Sequence, residues 1–143
     1  MLARLLALVT AIAAVLVLPV ATAGAVTGLD AFTTPSRHIA CMYQHLAGNT
    51  PDLRCDVDGV AHPPKRPASC ELDYGSAFGL SRNGRAQRLC VGDTVRDPKA
   101  KILAYGATRT YGPFTCTSRR TGLRCTSRAG HGFVLSHERQ KLF

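Results

Sequence analysis

The pattern of apolar and polar positions predicts a chain of short β-strands. In residues 37–43 (RHIACMY), Ile39, Cys41 and Tyr43 alternate with polar or small residues, as in a strand with one buried face. No stretch shows a sustained helical period, although a short helix at Cys41–Leu46 or after Ser136 is an alternative. Further strand-like stretches, separated by Gly, Pro, Asn and Asp, lie at residues 53–57, 78–89, 101–105, 109–111, 114–118, 123–127 and 132–136. We therefore expect an all-β fold, a small disulfide-stapled sandwich or barrel of short antiparallel strands.

Turn signals separate these strands. Asn83-Gly84 is typical of a two-residue hairpin turn and predicts a hairpin over residues 78–89. Asp58-Gly59 indicates a second hairpin-type turn, whereas residues 61–68 (AHPPKRPA) must form a loop because three prolines cannot serve a central strand. The first hairpin is expected to place three apolar side chains on a common face: Phe78, Leu80 and Leu89.

A stapled hairpin is predicted where the tetrapeptide Cys-Thr-Ser-Arg occurs twice, at residues 116–119 and 125–128. If Cys116 lies opposite Cys125, residues 119–122 form the loop, and Gly122 supplies a position that tolerates positive φ. Alternation then places Cys116, Ser118, Leu123, Cys125 and Ser127 on one face, and Thr117, Arg119, Arg124, Thr126 and Arg128 on the other. The doubled tetrapeptide is therefore interpreted as two strands of one hairpin and not as a repeat domain.

The cysteines indicate an oxidising compartment. Six cysteines in a small chain predict three disulfides, and no C-x-x-C spacing supports a redox site or a zinc knuckle. Six cysteines allow 15 pairings, so only the bridge within the stapled hairpin follows from its own geometry. The preferred set is sequential: Cys41–Cys55, Cys70–Cys90 and Cys116–Cys125.

The N-terminus has the layout of a secretory signal peptide. An uncharged run, residues 5–18, follows Arg4 and leads to cleavage sites after Ala23 or Ala25. The run is shorter than the ~20 residues of a spanning helix. We therefore expect a signal peptide at residues 1–25 and one six-cysteine domain at 26–143. That domain is expected to be secreted, with neither a membrane span nor a lipid anchor.

Charge points to an anionic partner. Lysine and arginine total 18 against 9 acidic residues, and arginine dominates. Guanidinium groups bind phosphate and carboxylate bidentately, although plain solubility explains a basic surface equally well. Arg88 also flanks the first hairpin turn, and His131, which lies between two glycines, is a further candidate binding residue. The candidate binding residues at the two hairpins are Arg82, Arg85, Arg119, Arg120, Arg124, Arg128 and His131.

Catalytic and metal signals are weak. Asp52, Asp56, Asp58 and Gly59 match part of a calcium loop, but no glutamate occupies its twelfth position, so an ordinary turn is preferred. Residues 136–138 (Ser-His-Glu) contain triad residue types, but adjacent side chains on a strand point to opposite faces. We therefore assign no catalytic residue, metal or cofactor.

The favoured function is a non-enzymatic binding or structural module. Its expected partner is an anionic cell-envelope polymer or an acidic protein surface. Nucleic acid is disfavoured because few aromatic residues are available for stacking on bases. The alternative is a small secreted hydrolase such as a nuclease, for which the available groups are Glu71, Glu138, His131 and His137.

Seven short segments, taken in their order along the chain, resemble a known family. They are residues 32–36 (FTTPS), 39–41 (IAC), 54–56 (RCD), 90–94 (CVGDT), 103–106 (LAYG), 122–125 (GLRC) and 130–133 (GHGF). The chain resembles a six-cysteine secreted domain of unknown function that is common in high-GC Gram-positive bacteria. It departs at Arg37-His38, where a Gly-Asn turn is usual, and at Tyr74, where a tryptophan is common. The resemblance implies an exported β-rich module and transfers no catalytic residue.

Overall fold

The computed structural model describes residues 29–44 and 53–143. Within these ranges the chain contains strands and no helix, which confirms the all-β prediction. The predicted signal peptide and Asp52 lie outside the described residues. The strands are β1 (Leu29–Thr33), β2 (Ile39–Gln44), β3 (Leu53–Val57), β4 (Asp73–Leu80), β5 (Gln87–Val91), β6 (Lys101–Ile102), β7 (Thr108–Tyr111), β8 (Phe114–Arg119), β9 (Gly122–Ser127), β10 (Gly132–Leu135) and β11 (Gln140–Leu142).

The strands form two sheets. The first sheet has the order β5-β4-β3-β2-β1-β6, and the second has the order β11-β10-β9-β8-β7. Neighbouring strands are antiparallel except for β1 and β6, which are parallel. No helix within 29–44 and 53–143 is long and apolar enough to cross a membrane.

The core lies between the two sheets. Phe32 of the first sheet stacks on Tyr111 of the second, with ring centroids 4.3 Å apart. Phe78 and Phe133 meet in the same layer, at 6.5 Å between centroids. These rings come from the inward positions of alternating strands and are fully or almost fully buried. The architecture is therefore a sandwich, with aromatic residues joining its two halves.

All three disulfide pairings are confirmed. Cys41–Cys55 joins directly opposed residues of β2 and β3, and Cys116–Cys125 does the same for β8 and β9, with Cα–Cα distances of 4.0 and 4.1 Å. Both bridges are buried in the core. Cys70–Cys90 fastens the loop before β4 to β5. Each central hairpin is thus stapled from the inside, and the proline-containing loop is held to the sheet edge.

The two sheets share a local sequence pattern that was not predicted. Residues 53–55 and 123–125 both read Leu-Arg-Cys, and the strands that follow them read Phe-x-Leu at 78–80 and 133–135. In both sheets the cysteine lies opposite the phenylalanine, and the first leucine lies opposite the second. The arginine therefore occupies the same outward position on both faces of the sandwich.

The hairpin predicted around Asn83-Gly84 has a different register. The loop is six residues long, 81–86, and neither Asn83 nor Gly84 has the positive φ that a type I′ turn requires. Phe78 lies opposite Arg88, so Leu89 points to the other face and does not share a face with Phe78.

Arg88 explains this register physically. Its guanidinium lies 5.0 Å from the centre of the Phe78 ring, and it donates to the carbonyl oxygens of Gly75, at 3.2 Å, and Gln140, at 3.5 Å. Gln140 belongs to the second sheet. Arg88 therefore closes the open edge of the sandwich, and this gain outweighs the local preference of the turn.

Other boundaries differ in detail. The predicted strand at 101–105 is only β6, and the strand at 132–136 ends at Leu135. The helix alternatives are wrong for the described residues, since Cys41–Gln44 belongs to β2 and the segment after Ser136 contains β11. Asp58-Gly59 is a turn, but it leads into a long connection and not a tight hairpin, because β4 begins only at Asp73. Residues 61–68 contain no strand, as expected.

Candidate functional site

Three turns meet at one end of the sandwich and line an open groove of about 360 Å³. They are the β1–β2 turn (residues 34–38), the β8–β9 turn (120–121) and the β10–β11 turn (136–139), with Tyr105 added from the segment before β7. Turns carried by a rigid sandwich are a common location for binding residues.

The β8–β9 turn presents two arginines to the groove. Arg119 lies opposite Gly122, so the loop is the two residues Arg120-Thr121 and not the predicted four. Gly122 has a φ of +137°, and a Cβ at this position would clash with the carbonyl oxygen of Leu135. The turn therefore needs glycine to pack against β10, which holds Arg119 and Arg120 at the rim.

Arg120 rests on an aromatic ring. Its guanidinium carbon lies 5.1 Å from the centre of the Tyr105 ring. The segment carrying Tyr105 is held to β8, because Gly106 N–H donates to Ser118 O at 2.8 Å and Ser118 N–H donates to Ala107 O at 3.0 Å. A cation–π contact orients one face of the guanidinium and leaves its N–H edge for a ligand.

The β1–β2 turn contributes His38 to the groove and is fastened from outside. Arg37 adopts a φ of +59°, the left-handed conformation that non-glycine residues rarely adopt. Arg96 donates to the carbonyl oxygens of Arg37, at 2.6 Å, and His38, at 3.2 Å, and forms an ion pair with Asp58 at 2.7 Å. Arg96 is therefore a structural clamp on this wall of the groove.

The β10–β11 turn contributes Ser136, His137 and Glu138. These residues were expected to lie on a strand with adjacent side chains on opposite faces, but they form a turn, and all three line the groove. They are nevertheless not arranged as a triad. The Ser136 hydroxyl is bonded to the backbone of Arg139, whereas His137 Nδ1 contacts Glu138 Oε1 at 3.2 Å. Hydrogen bonds from its own backbone N–H and from His137 hold the pKa of Glu138 below its ordinary value.

A second depression lies on the outer face of the second sheet. It is lined by Thr117, Arg119, Arg124 and Val134, with the β8–β9 turn at its rim. The guanidinium of Arg124 lies 4.4 Å from the centre of the Phe143 ring. Arg119, Arg124 and Arg128 are all exposed, which confirms the outward face predicted for the stapled hairpin.

A family of unknown function, DUF6636, matches residues 7–143, nearly the whole chain. The chain belongs to DUF6636. No curated protein and no solved structure matches it. Membership agrees with the resemblance to a six-cysteine domain of unknown function, and the groove of this DUF6636 member must be interpreted from its own geometry.

Two equivalent arginines of this DUF6636 protein have different environments. Arg54 pairs with Asp56 at 2.9 Å and Asp93 at 2.8 Å, and these pairs outweigh its burial and raise the pKa of Arg54. The same interaction lowers the pKa of Asp93. Arg124 occupies the matching position of the second sheet, yet no described carboxylate pairs with it. Arg54 therefore belongs to the internal network of the first sheet, whereas Arg124 lies against the Phe143 ring at the surface of the second sheet.

The candidate calcium residues serve the same structural network. Asp56 accepts hydrogen bonds from Arg54, from Thr94 Oγ1 at 3.0 Å and from Val95 N–H at 3.0 Å. Asp58 is paired with Arg96. Among the residues the structure describes, no group of three or more His, Cys, Asp or Glu side chains could hold a metal ion.

The remaining predicted site residues of this DUF6636 member lie elsewhere. Arg82 and Arg85 are in the β4–β5 loop, beside the Leu53–Leu80 end of the first sheet, whereas the β1–β2 turn is at its Ile39–Val57 end. Arg128 and His131 are at the β9–β10 turn, about 20 Å along β9 from the β8–β9 turn. The structure therefore brings together Arg119, Arg120 and Arg124, but not the two basic hairpins.

Two residues that line the groove, His38 and Tyr105, were not among the predicted site residues. His38 follows a run of turn-forming residues, Thr-Thr-Pro-Ser, which predicts a turn but not the turn that faces it across the groove. Tyr105 precedes a glycine in a short loop, a pattern with no specific meaning by itself. Neither residue could be assigned before the two sheets were placed face to face.

Proposed function

We propose that this protein is an exported, non-enzymatic binding module that holds anionic groups of a cell-envelope component in the groove. The observation that carries this proposal is the presence of Arg119 and Arg120 on one turn at the groove rim. No described carboxylate pairs with either guanidinium. Glu138 is the only acidic residue among the described lining residues, and it is engaged with His137.

The rigidity of the groove supports binding. The Cys116–Cys125 bridge staples the hairpin that carries the β8–β9 turn, and the Cys41–Cys55 bridge fixes β2, the strand that follows the β1–β2 turn, to β3. Backbone hydrogen bonds and Arg96 hold the β1–β2 turn, and the Ser136 side chain closes the β10–β11 turn. A preformed site loses little conformational entropy when a ligand binds. Three disulfides also suit an oxidising, extracellular compartment.

Direct binding measurements test the proposal. We expect the purified protein to bind soluble anionic envelope polymers at low salt and to release them as salt is added, because screening shortens the range of the attraction. The double variant Arg119→Ala/Arg120→Ala should lose most of this affinity. The control Arg85→Ala/Arg128→Ala removes the same charge away from the groove and should retain it. Equal loss in both variants would show that only net charge matters.

A hydrolase is the second candidate, because the groove places ionisable side chains beside the arginines. His38, His137 and Glu138 line the same groove as Arg119 and Arg120. A general base next to groups that hold a phosphate is the minimum for phosphodiester cleavage, with water as nucleophile. Incubation with RNA and with DNA tests this candidate. Cleavage that disappears in His137→Ala, with folding retained, would replace the binding proposal.

A further inference from the structure

We infer that the ligand is a linear polyanion that crosses the β8–β9 turn and occupies both the groove and the outer face of the second sheet. This inference rests on the proposed function and extends it from an anionic group to a chain of such groups. Its basis is that the two depressions share one rim, formed by Arg119, Thr121 and Gly122. A ligand confined to the groove would leave the second depression unused.

The arginines are spaced along this path. Arg120 faces the groove on the Tyr105 ring, and Arg124 lies on the sheet face beside Phe143. Arg119 is opposite Gly122 and therefore diagonal to Arg124. Diagonal residues on paired strands are about 7–8 Å apart. Successive anionic groups of one chain can meet the three guanidinium groups in turn. One compact anion cannot bridge the groove and the sheet face.

The sheet face extends this path with hydroxyl groups. Arg124 is opposite Thr117, which is opposite Thr108 on the edge strand β7. The two threonine hydroxyls are 2.8 Å apart. Strands are spaced about 4.8 Å apart, so this row continues roughly 10 Å beyond Arg124. It offers hydrogen bonds to the uncharged parts of a polymer, and no described acidic residue lines this depression.

A compact acidic protein fits this path less well. The path bends from the end of the sandwich onto the sheet face, because the β8–β9 turn separates the two depressions. A flexible chain can follow such a bend, whereas a folded surface must match its shape. The repeated oxyanion can be a phosphate or a carboxylate, since guanidinium groups bind both bidentately.

Chain length is the decisive variable. Binding is compared for inorganic phosphate, tripolyphosphate and long-chain polyphosphate, and in a second arm for galacturonate and a long oligogalacturonate. At equal concentration of anionic groups, we expect the long chain of at least one arm to bind at least tenfold more tightly than its short counterpart. The reason is that the anionic groups of a long chain are linked, so the contacts that follow the first are intramolecular. The arm that binds identifies phosphate or carboxylate as the oxyanion.

Single variants locate the chain. Arg124→Ala should weaken long-chain binding several-fold and lower the slope of log affinity against log salt by about one, while leaving the short anion unaffected. Arg120→Ala should weaken both. Arg85→Ala is the charge-matched control, and far-UV circular dichroism verifies folding of every variant.

The outcomes separate the two proposals. If the long chains bind no more tightly than the short ones, or if Arg124→Ala matches Arg85→Ala, the extended path is wrong. Binding of short anions that depends on Arg120 would in that case leave the groove proposal standing. If no anion of any length binds, the groove proposal fails as well.

Discussion

Replacing Asp56 with alanine should remove the main polar link between the first sheet and the segment at residues 92–97. Asp56 accepts four hydrogen bonds: two from Arg54, one from Thr94 and one from the backbone N–H of Val95. The Arg54 and Asp56 side chains are only 15% and 11% exposed, so solvent cannot readily replace these interactions. Arg54 would keep Asp93 as its remaining partner.

The expected decrease in the free energy of unfolding follows from the loss of the Arg54–Asp56 ion pair while the Arg54–Asp93 pair remains. Breaking a fully buried ion pair costs about 3–5 kcal/mol, and the remaining Asp93 contact lowers this to roughly 2–4 kcal/mol for Asp56→Ala. Thr94→Val removes one hydrogen bond to the same carboxylate and also the acceptor of the Arg96 N–H, and it should cost about 1–2 kcal/mol. Against a total stability of about 5–15 kcal/mol, the first loss is large and the second modest.

Urea unfolding followed by far-UV circular dichroism, with the disulfides intact, measures both losses at an unchanged denaturant slope. Hydrogen exchange gives a local check, because the Val95 amide should lose protection in Asp56→Ala. A loss no greater than that of Thr94→Val would refute the reasoning. The carboxylate would then contribute little beyond one hydrogen bond.

Four further outcomes are expected. Arg37→Gly should raise the free energy of unfolding by about 0.5–1 kcal/mol because the residue has positive φ, and Arg37→Ala, its control, should not. Gly122→Ala should destabilise the protein and reduce anion affinity, since its Cβ would clash with Leu135 O; unchanged urea midpoints would contradict this. Glu138→Gln should raise anion affinity about two- to threefold, because it removes a negative charge from the groove. If Glu138 were catalytic, the same variant would instead lose cleavage activity. The ion pair that lowers the pKa of Asp93 below 3.8 stabilises the fold above about pH 4 and is lost as the pH falls further, so Asp93→Asn should flatten the acid limb of a stability–pH curve.

The stapled hairpin shows how far local sequence can reach. Alternation over residues 116–128 predicted which side chains are buried, because successive residues of a strand point to opposite faces. Two directly opposed cysteines and Gly122 at the turn define the register, so no distant residue is needed. The even cysteine count likewise predicted three bridges, and the observed pairing is the preferred sequential one.

The β4–β5 hairpin shows where local signals fail. Asn83-Gly84 favours a two-residue turn, but Arg88 makes its contacts with Phe78, Gly75 and Gln140 only in the other register. Gln140 is remote in sequence and belongs to the opposite sheet. The contacts that Arg88 makes at the edge of the sandwich stabilise the observed register more than the turn preference of Asn83-Gly84 stabilises the other one. Tertiary packing therefore decided the register.

Sequence alone thus determined the fold class, the Cys116–Cys125 bridge and the outward arginines of the stapled hairpin, because each depends on periodicity or on neighbours in one hairpin. The groove depended on the tertiary structure. Its walls come from residues 34–38, 119–122 and 136–138, which meet only when the two sheets stack through Phe32 and Tyr111. A turn sequence predicts its own conformation but carries no information about the turn it will face, and that facing is set by the packing of the core between the sheets.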